Sequence, residues 1–136
     1  MGSPIEILEN CSKKLKSGGK IVLEIPHAND FLVTHLNSQS FKQFTLWSQH
    51  LILHTRQSIY KMLEFVGYKN IFIKGIQSYS LANHLHWLTN NSPGGHLSKL
   101  AIIESSELTS AYENALSSID ANDTLICVGE KDNCLA

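Results

Sequence analysis

The chain has 136 residues, a formal net charge of −1 and a hydrophobic fraction of 43%, which fits one domain or a part of one. Its 11 basic and 12 acidic residues are mixed along the chain, so we expect no surface for nucleic acid or for anionic membrane. No apolar run is long enough to span a bilayer, and no signal peptide opens the chain. The three cysteines form no Cys-x-x-Cys pair. Together these features are typical of a cytoplasmic protein.

The first predicted elements are a helix and a buried strand joined by a Gly-Gly turn. Pro4 suits the first helical turn, where a missing N–H costs nothing. Gly18 and Gly19 end the helix, because glycine tolerates the left-handed cap conformation. Residues 21–25, Ile-Val-Leu-Glu-Ile, have high β propensity, and Pro26 ends their ladder pairing. This order of elements is typical of the middle of an α/β sheet.

Helical and strand patterns alternate along the rest of the chain. Residues 27–54 predict a long connection with a short helix, and such a connection is often functional in a compact domain. Residues 55–67 predict a helix with a Thr cap and a Gly stop, and residues 71–77 predict a second strand. Residues 104–119 keep helical spacing, and residues 123–130 predict a last strand. The sequence therefore predicts an α/β fold with three strands.

Two polar residues follow the first predicted strand directly. His27 and Asp30 lie at the carboxyl end of residues 21–25, and ligands of open α/β sheets bind in crevices at such strand ends. We therefore predict that both residues bind substrate. The alternative is a plain turn followed by a helix cap.

A polar and aromatic group follows the second predicted strand. Asn83, His84 and Trp87 suggest a wall that recognises a sugar or another hydroxylated ligand, since an aromatic face packs on C–H groups while amide and imidazole bond hydroxyls. The alternative is an insertion that packs on the sheet edge.

Seven histidines raise the question of a metal site. His84 and His86 would share a face on a strand, with His96 nearby, and His50 and His54 have the spacing of two helical ligands. The chain has no His-Glu-x-x-His pattern, and its cysteines lie far away in sequence. We therefore predict no metal site, and a small metal-dependent hydrolase is the weakest of the functional readings.

Three segments together resemble class I S-adenosylmethionine-dependent methyltransferases. Residues 15–26, LKSGGKIVLEIP, are similar to the family's LKPGG-x-hydrophobic-E-x-P segment, with Ser17 in place of the usual proline. His50, followed by residues 58–68, SIYKMLEFVGY, resembles the family's histidine and glycine-terminated helix. Residues 77–96, which contain NHLHWL and PGGH, look like an insertion found in one subgroup.

The resemblance implies a partial Rossmann-like sheet that holds the family's last three strands, with flanking helices. Residues 21–25 would be the fifth strand, residues 71–77 the sixth, and residues 124–130 an antiparallel seventh strand between them. The family's glycine-rich loop and its ribose-binding acidic residue have no match in this sequence. Residues 1–136 are thus expected to be the C-terminal, substrate-side half of a methyltransferase domain. S-adenosylmethionine is expected in the intact parent, and no cofactor-binding residue is expected in this chain alone.

The resemblance further implies a small-molecule methyl acceptor, such as a sugar or polysaccharide precursor, and no activity for this chain by itself. In related sugar C-methyltransferases a histidine-rich stretch at the position of His50 supplies the substrate pocket and a general base. His50 is therefore the predicted catalytic residue, although Ser48 and Gln49 replace the upstream His-Glu. The alternative is a histidine that packs between loop and helix.

Without a fourth strand beside it, the strand at residues 21–25 becomes an apolar sheet edge, which is a template for pairing with another chain. We therefore predict a homodimer formed through residues 21–25. The alternative to an enzyme fragment is a non-catalytic half-domain that associates through this free edge.

Overall fold

The computed structural model describes residues 3–46 and 52–133. Within them, none of the helices has the length and apolar character needed to cross a membrane. The helices and strands are α1 (Pro4–Lys14), β1 (Lys20–Pro26), α2 (Phe31–Thr34), α3 (Gln39–Thr45), α4 (Arg56–Val66), β2 (Tyr68–Ile76), α5 (Leu81–Asn90), α6 (Ser106–Ser118) and β3 (Thr124–Lys131), with 3-10 turns at Gly95–Leu97 and Lys99–Ile103.

The three strands form one sheet in the order β1-β3-β2, and β3 is antiparallel to both neighbours. The α/β fold class, with a last antiparallel strand between the other two and flanking helices, is confirmed. The second strand begins at Tyr68 rather than at residue 71. A register shift between Lys69 and Phe72, with Asn70 at φ 49°, lets the strand continue through this irregularity.

Helix α4 has the local signals that the sequence predicts. Thr55 and Ser58 form a reciprocal capping box at its start, and Gly67 ends it at φ 97°. Its buried side chains Ile59 and Leu63 pack in the main core, together with Leu8 of α1 and with Leu125 and Cys127 of β3. Helices α1 and α4 thus cover one face of the sheet.

The opposite face of the sheet carries an apolar row. Val22 of β1 and Phe72 of β2 both lie in register with Val128 of β3. Val22 is 65% exposed and Phe72 is 59% exposed. An apolar sheet face of this kind is usually covered in α/β proteins.

A second core cluster lies where α5 packs against α2 and α3. It contains Leu32, Phe41 and Trp87, and the Trp87 ring meets the Phe41 ring edge-on with centroids 5.2 Å apart. His84 and His86 lie on helix α5, so they do not share a face as they would on a strand. His84 is buried, whereas His86 Nδ1 bonds to the carbonyl oxygen of Ser92 at 2.7 Å.

Candidate functional site

A cavity of about 480 Å³ lies at one end of the sheet, where β1 and β2 end and β3 begins. We call it the edge cavity. It is lined by Glu24, Ile25, Pro26, His27, Asp30, Val33, Phe41, Phe44, Thr45, Leu53, Ser78, Tyr79, Asp123 and Thr124. The carboxyl ends of strands are the usual ligand sites of open α/β sheets. Of the sequence-predicted site residues, the cavity brings together His27 and Asp30.

His27 is held in place by β3 and by the segment before it. Its backbone N–H donates to the carbonyl oxygen of Asp123, and its Nδ1 lies 2.9 Å from the carbonyl oxygen of Asn122. In the neutral ring this contact places the proton on Nδ1. Burial lowers the pKa of His27, against the opposing effect of the Asn122 carbonyl. Its Nε2 lies 3.9 Å from a carboxylate oxygen of Asp120.

Asp30 caps α2, since its Oδ1 accepts a hydrogen bond from the Leu32 N–H at 2.7 Å. The residue is only 5% exposed. Burial raises the pKa of Asp30 to about 7, and the nearby Asp123 carboxylate adds to the rise. A carboxyl group with such a pKa exchanges its proton near neutral pH, so it can bind a cation or accept a proton.

Asp123 connects two of the cavity walls. Its carboxylate accepts hydrogen bonds from the backbone N–H groups of Ser78 and Tyr79, from the Gln77 amide and from the Thr124 hydroxyl. These bonds hold the turn after β2 against the start of β3. Asp123 is a cavity residue that the sequence pattern did not predict. Its position as the first residue of a predicted strand, at the same end of the sheet as His27, is the one signal that could have indicated it.

Asn83 and Trp87 lie in the interior and do not line the edge cavity. The Asn83 Oδ1 accepts hydrogen bonds from the N–H groups of Gly94 and Gly95, so it fixes the turn that follows α5. A Cβ atom on Gly95 would lie 2.2 Å from the Ala82 carbonyl oxygen, so this turn packs directly on α5. These are contacts of packing residues, and a role in substrate binding stays a prediction.

His84 joins α5 to α6 and to the cavity wall. Its Nδ1 lies 2.6 Å from the Tyr112 hydroxyl, and its Nε2 lies 3.4 Å from the Gln77 amide nitrogen, which also donates to Asp123. Burial lowers the pKa of His84 to about 4, so the ring is neutral at pH 7. His84 contacts Gln77 and does not itself line the edge cavity. Its contact with substrate stays a prediction.

The predicted catalytic residue His50 lies outside the described residues. Among residues 3–46 and 52–133, no group of three or more His, Cys, Asp or Glu side chains is arranged to hold a metal ion. The chemistry that the described site offers is therefore that of carboxylates, a buried imidazole and aromatic rings.

No protein-family model matches the sequence, and no curated protein matches it. Among solved structures, a SAM-dependent methyltransferase from Archaeoglobus fulgidus superposes with a TM-score of 0.51 at 16% sequence identity. The chain has a methyltransferase-like fold. The match covers 96% of this chain and 54% of the Archaeoglobus chain, so the chain spans about half the length of that methyltransferase.

Two structures of phosphoethanolamine N-methyltransferase 2 from Haemonchus contortus were also found. One is in complex with phosphomonomethylethanolamine and S-adenosylhomocysteine, and the other with S-adenosyl-L-methionine. Their TM-scores are 0.49 and 0.48 at 14% and 15% identity, and each match covers 97% of this chain and 30% of the other. The assignment of residues 77–96 to a subgroup of the methyltransferase-like fold stays a prediction.

Proposed function

We propose that the chain is the C-terminal, substrate-side part of an S-adenosylmethionine-dependent methyltransferase, and that the edge cavity holds a small-molecule methyl acceptor. The observation that carries this proposal is the position of the cavity, at the carboxyl ends of β1 and β2 in a methyltransferase-like fold. The resemblance of residues 77–96 to a subgroup insertion supports an acceptor of the sugar or polysaccharide-precursor class.

The open sheet face supports the view that this chain is one part of a larger domain. Val22 and Phe72 are more than half exposed on that face. Sheets of this fold class bury both faces against helices, so further polypeptide is expected to cover this row. The share of the Archaeoglobus methyltransferase that the chain spans, 54%, is consistent with this view.

Two glycine turns of the chain make internal hydrogen bonds. The turn at Gly94 and Gly95 is occupied by its bonds to Asn83, and the Gly18 N–H donates to the Lys131 carbonyl oxygen. Because the family's glycine-rich loop and ribose-binding acidic residue have no match in this sequence, we assign S-adenosylmethionine, which supplies an electrophilic methyl group when bound, to the remainder of the parent enzyme. The task of this chain is to bind and orient the acceptor.

Calorimetric titration of S-adenosylmethionine and of S-adenosylhomocysteine into the 136-residue chain tests this assignment. We expect no heat of binding. Binding of micromolar strength with one site per chain would contradict the assignment, because the chain would then hold a cofactor site of its own.

The encoded protein, expressed with any upstream coding sequence, tests the enzymatic part of the proposal. We expect methyl transfer from labelled S-adenosylmethionine to a small-molecule acceptor. We also expect His50→Gln to lower this transfer, since His50 is the proposed general base, while the matched change at the exposed His96 leaves it unchanged. Equal activity of the two variants would remove His50 from the mechanism.

We further propose that the chain forms a homodimer. Such association would also be the role of the chain in the alternative case, that of a non-catalytic half-domain. Among the described strands, β1 pairs only with β3, so its other edge is available to a strand of a second copy. Sedimentation velocity of the isolated chain should show a homodimer, and Val22→Pro, which removes an outward-facing backbone donor from β1 and keeps the donors to β3, should weaken it. A monodisperse monomer at high protein concentration would refute association through residues 21–25.

A further inference from the structure

The edge cavity has an unbalanced charge. Its ionisable lining residues are Glu24, His27, Asp30 and Asp123, and no Lys or Arg is among the described residues that line it. Lys and Arg are also absent from the sequence of the segments that the structure does not describe, residues 1–2, 47–51 and 134–136. A phosphate or carboxylate ligand would thus meet carboxylates of this chain without a cation of this chain to pair with.

One of the two buried carboxylates of the cavity is left for a ligand, while the third lining carboxylate, Glu24, is exposed to solvent. Asp123 is already engaged through both oxygens by donors from residues 77–79 and from Thr124. Asp30 accepts backbone hydrogen bonds from Leu32 and Val33 and, within the described part of the chain, forms no ion pair. A carboxylate so deeply buried is costly to ionise alone, so a ligand cation beside it would be stabilising.

Aromatic rings complete the same cavity. Phe41, Phe44 and Tyr79 line it, and the Phe44 and Tyr79 side chains are 52% and 53% exposed. Ring faces attract a cation within about 6 Å of the ring centre. An acidic side chain together with aromatic faces is the arrangement that recognises an ammonium group.

We infer that the edge cavity binds a small molecule through a protonated amino group, which Asp30 holds as counter-ion beside the Phe44 and Tyr79 rings. The inference rests on the proposed function only in making this amine the methyl acceptor. For that step the ammonium would first give one N–H proton to Asp30, and the freed nitrogen lone pair would then take the methyl group from S-adenosylmethionine, with S-adenosylhomocysteine as the leaving group. An amino sugar would satisfy both the amine requirement and the sugar class, and a phosphorylated or carboxylated sugar would not.

Three ring compounds of matched shape test the inference: cyclohexylammonium, cyclohexanol and cyclohexanecarboxylate. Each is titrated into the isotopically labelled 136-residue chain at about pH 8, where the amine is protonated and most of Asp30 is ionised. The amine should bind about tenfold or more tightly than the alcohol, and it should shift the amide resonances of Asp30, Val33 and Thr45. Equal binding of the alcohol or the carboxylate, or no amine binding at about 50 mM, would overturn the inference.

A conservative variant identifies the counter-ion. Asn is as good a helix cap as Asp, so Asp30→Asn keeps the cap of α2 and removes only the charge. We expect this variant to weaken amine binding about tenfold and to leave the alcohol unaffected. Glu64→Gln makes the same change in net charge on the exposed face of α4 and should leave amine binding within about twofold. Equal weakening in both variants would mean long-range attraction and would overturn the role of Asp30.

The inference and the proposed function can fail separately. Methyl transfer by the longer protein to hydroxyl acceptors alone would overturn the amine inference and keep the methyltransferase. Amine binding by the chain, with no methyl transfer by the longer protein, would keep the ligand class and refute the methyltransferase.

Discussion

Gln77 and Asp123 are bonded to each other in both directions. The Gln77 amide nitrogen donates to the Asp123 Oδ2 at 2.8 Å, and the Asp123 backbone N–H donates to the Gln77 Oε1 at 3.1 Å. This pair joins the end of β2 to the start of β3 and closes one wall of the edge cavity.

Replacing Gln77 with Glu should break one of these bonds and place two carboxylates together. Glu keeps the acceptor for the Asp123 N–H but lacks the amide donor, so Asp123 loses a partner and gains a like charge. We expect the free energy of unfolding to fall by about 2 kcal/mol. Urea denaturation measures this loss. The exposed Gln57→Glu change on α4 is the control and should stay within about 0.5 kcal/mol of the wild type; equal stability of both variants would contradict the role of the pair.

The turn after α5 should not tolerate a side chain at Gly95. A Cβ there would lie 2.2 Å from the Ala82 carbonyl oxygen and 2.4 Å from the Asn83 Cα, so the helix and the turn would have to separate. We expect Gly95→Ala to lower the free energy of unfolding by about 3 kcal/mol, measured by thermal or urea denaturation. Gly67→Ala has open space but a φ of 97°, and its strain should cost only about 1 kcal/mol. The reverse order of the two variants would refute the close packing of Gly95.

The Tyr112 hydroxyl is the partner of His84 in the interior. His84 Nδ1 and the Tyr112 oxygen lie 2.6 Å apart, and which of them donates is set by the His84 tautomer, because both Gln77 amide hydrogens have partners at 2.8 Å in the Tyr79 carbonyl and in Asp123. Tyr112→Phe leaves the buried His84 Nδ1 without its hydrogen-bond partner and should lower the free energy of unfolding by about 1–3 kcal/mol. The half-exposed Tyr60 offers the matched control, since Tyr60→Phe should be nearly neutral in the same denaturation experiment. A neutral Tyr112→Phe would mean that the contact adds no stability.

Asp30 and His84 influence the pH dependence of stability in opposite directions. Burial raises the pKa of Asp30 to about 7 and lowers the pKa of His84 to about 4. Between about pH 4 and 6.5, native Asp30 keeps a proton that the unfolded chain releases, so its contribution to stability falls as the pH rises. Native His84 lacks a proton that the unfolded chain binds, so its contribution rises over the same range. The two contributions oppose each other in the wild type.

The free energy of unfolding of the Asp30→Asn variant should therefore rise more steeply with pH than that of the wild type. Relative to wild type, the free energy of unfolding of the variant should gain up to about 1.4 kcal/mol per pH unit between about pH 4 and 6.5. Urea denaturation across this range measures the difference. Glu64→Gln should follow the wild-type curve. Parallel curves for Asp30→Asn and wild type would show that Asp30 titrates normally in the folded state.

Local sequence signals predicted the elements whose ends depend on single residues. Thr55 and Gly67 define α4 by capping chemistry. Gly18 sets the turn before β1, but the prediction that Gly18 and Gly19 end the first helix is wrong, because α1 ends at Lys14 with Leu15 as an extended cap. The strand order came from the resemblance, because β3 pairs with strands that lie far from it in the sequence. His27 and Asp30 were found as cavity residues because they follow a strand directly.

The side-chain contacts between residues that are distant in sequence could not be predicted from local patterns. The bonds of Asp123 to Gln77 and Ser78 join residues that only the folded sheet brings together. His84 and Trp87 are residue types that are common in ligand-binding surfaces, yet both lie on the buried side of α5. There His84 forms a hydrogen bond with Tyr112, and Trp87 packs against Phe41. Polar residue types on a buried helix face have the same sequence signal as a binding wall.

The central position of β3 constrains the order in which this chain can fold. Within the described sheet, β1 and β2 do not pair with each other, and each needs β3 as its neighbour. Of the three strands β3 is synthesised last, so the first two leave the ribosome with no partner from this sheet. Such distant pairing makes folding slow and leaves apolar strands open to wrong contacts. A ribosome that pauses before residue 124 would therefore carry a nascent chain in its most aggregation-prone state.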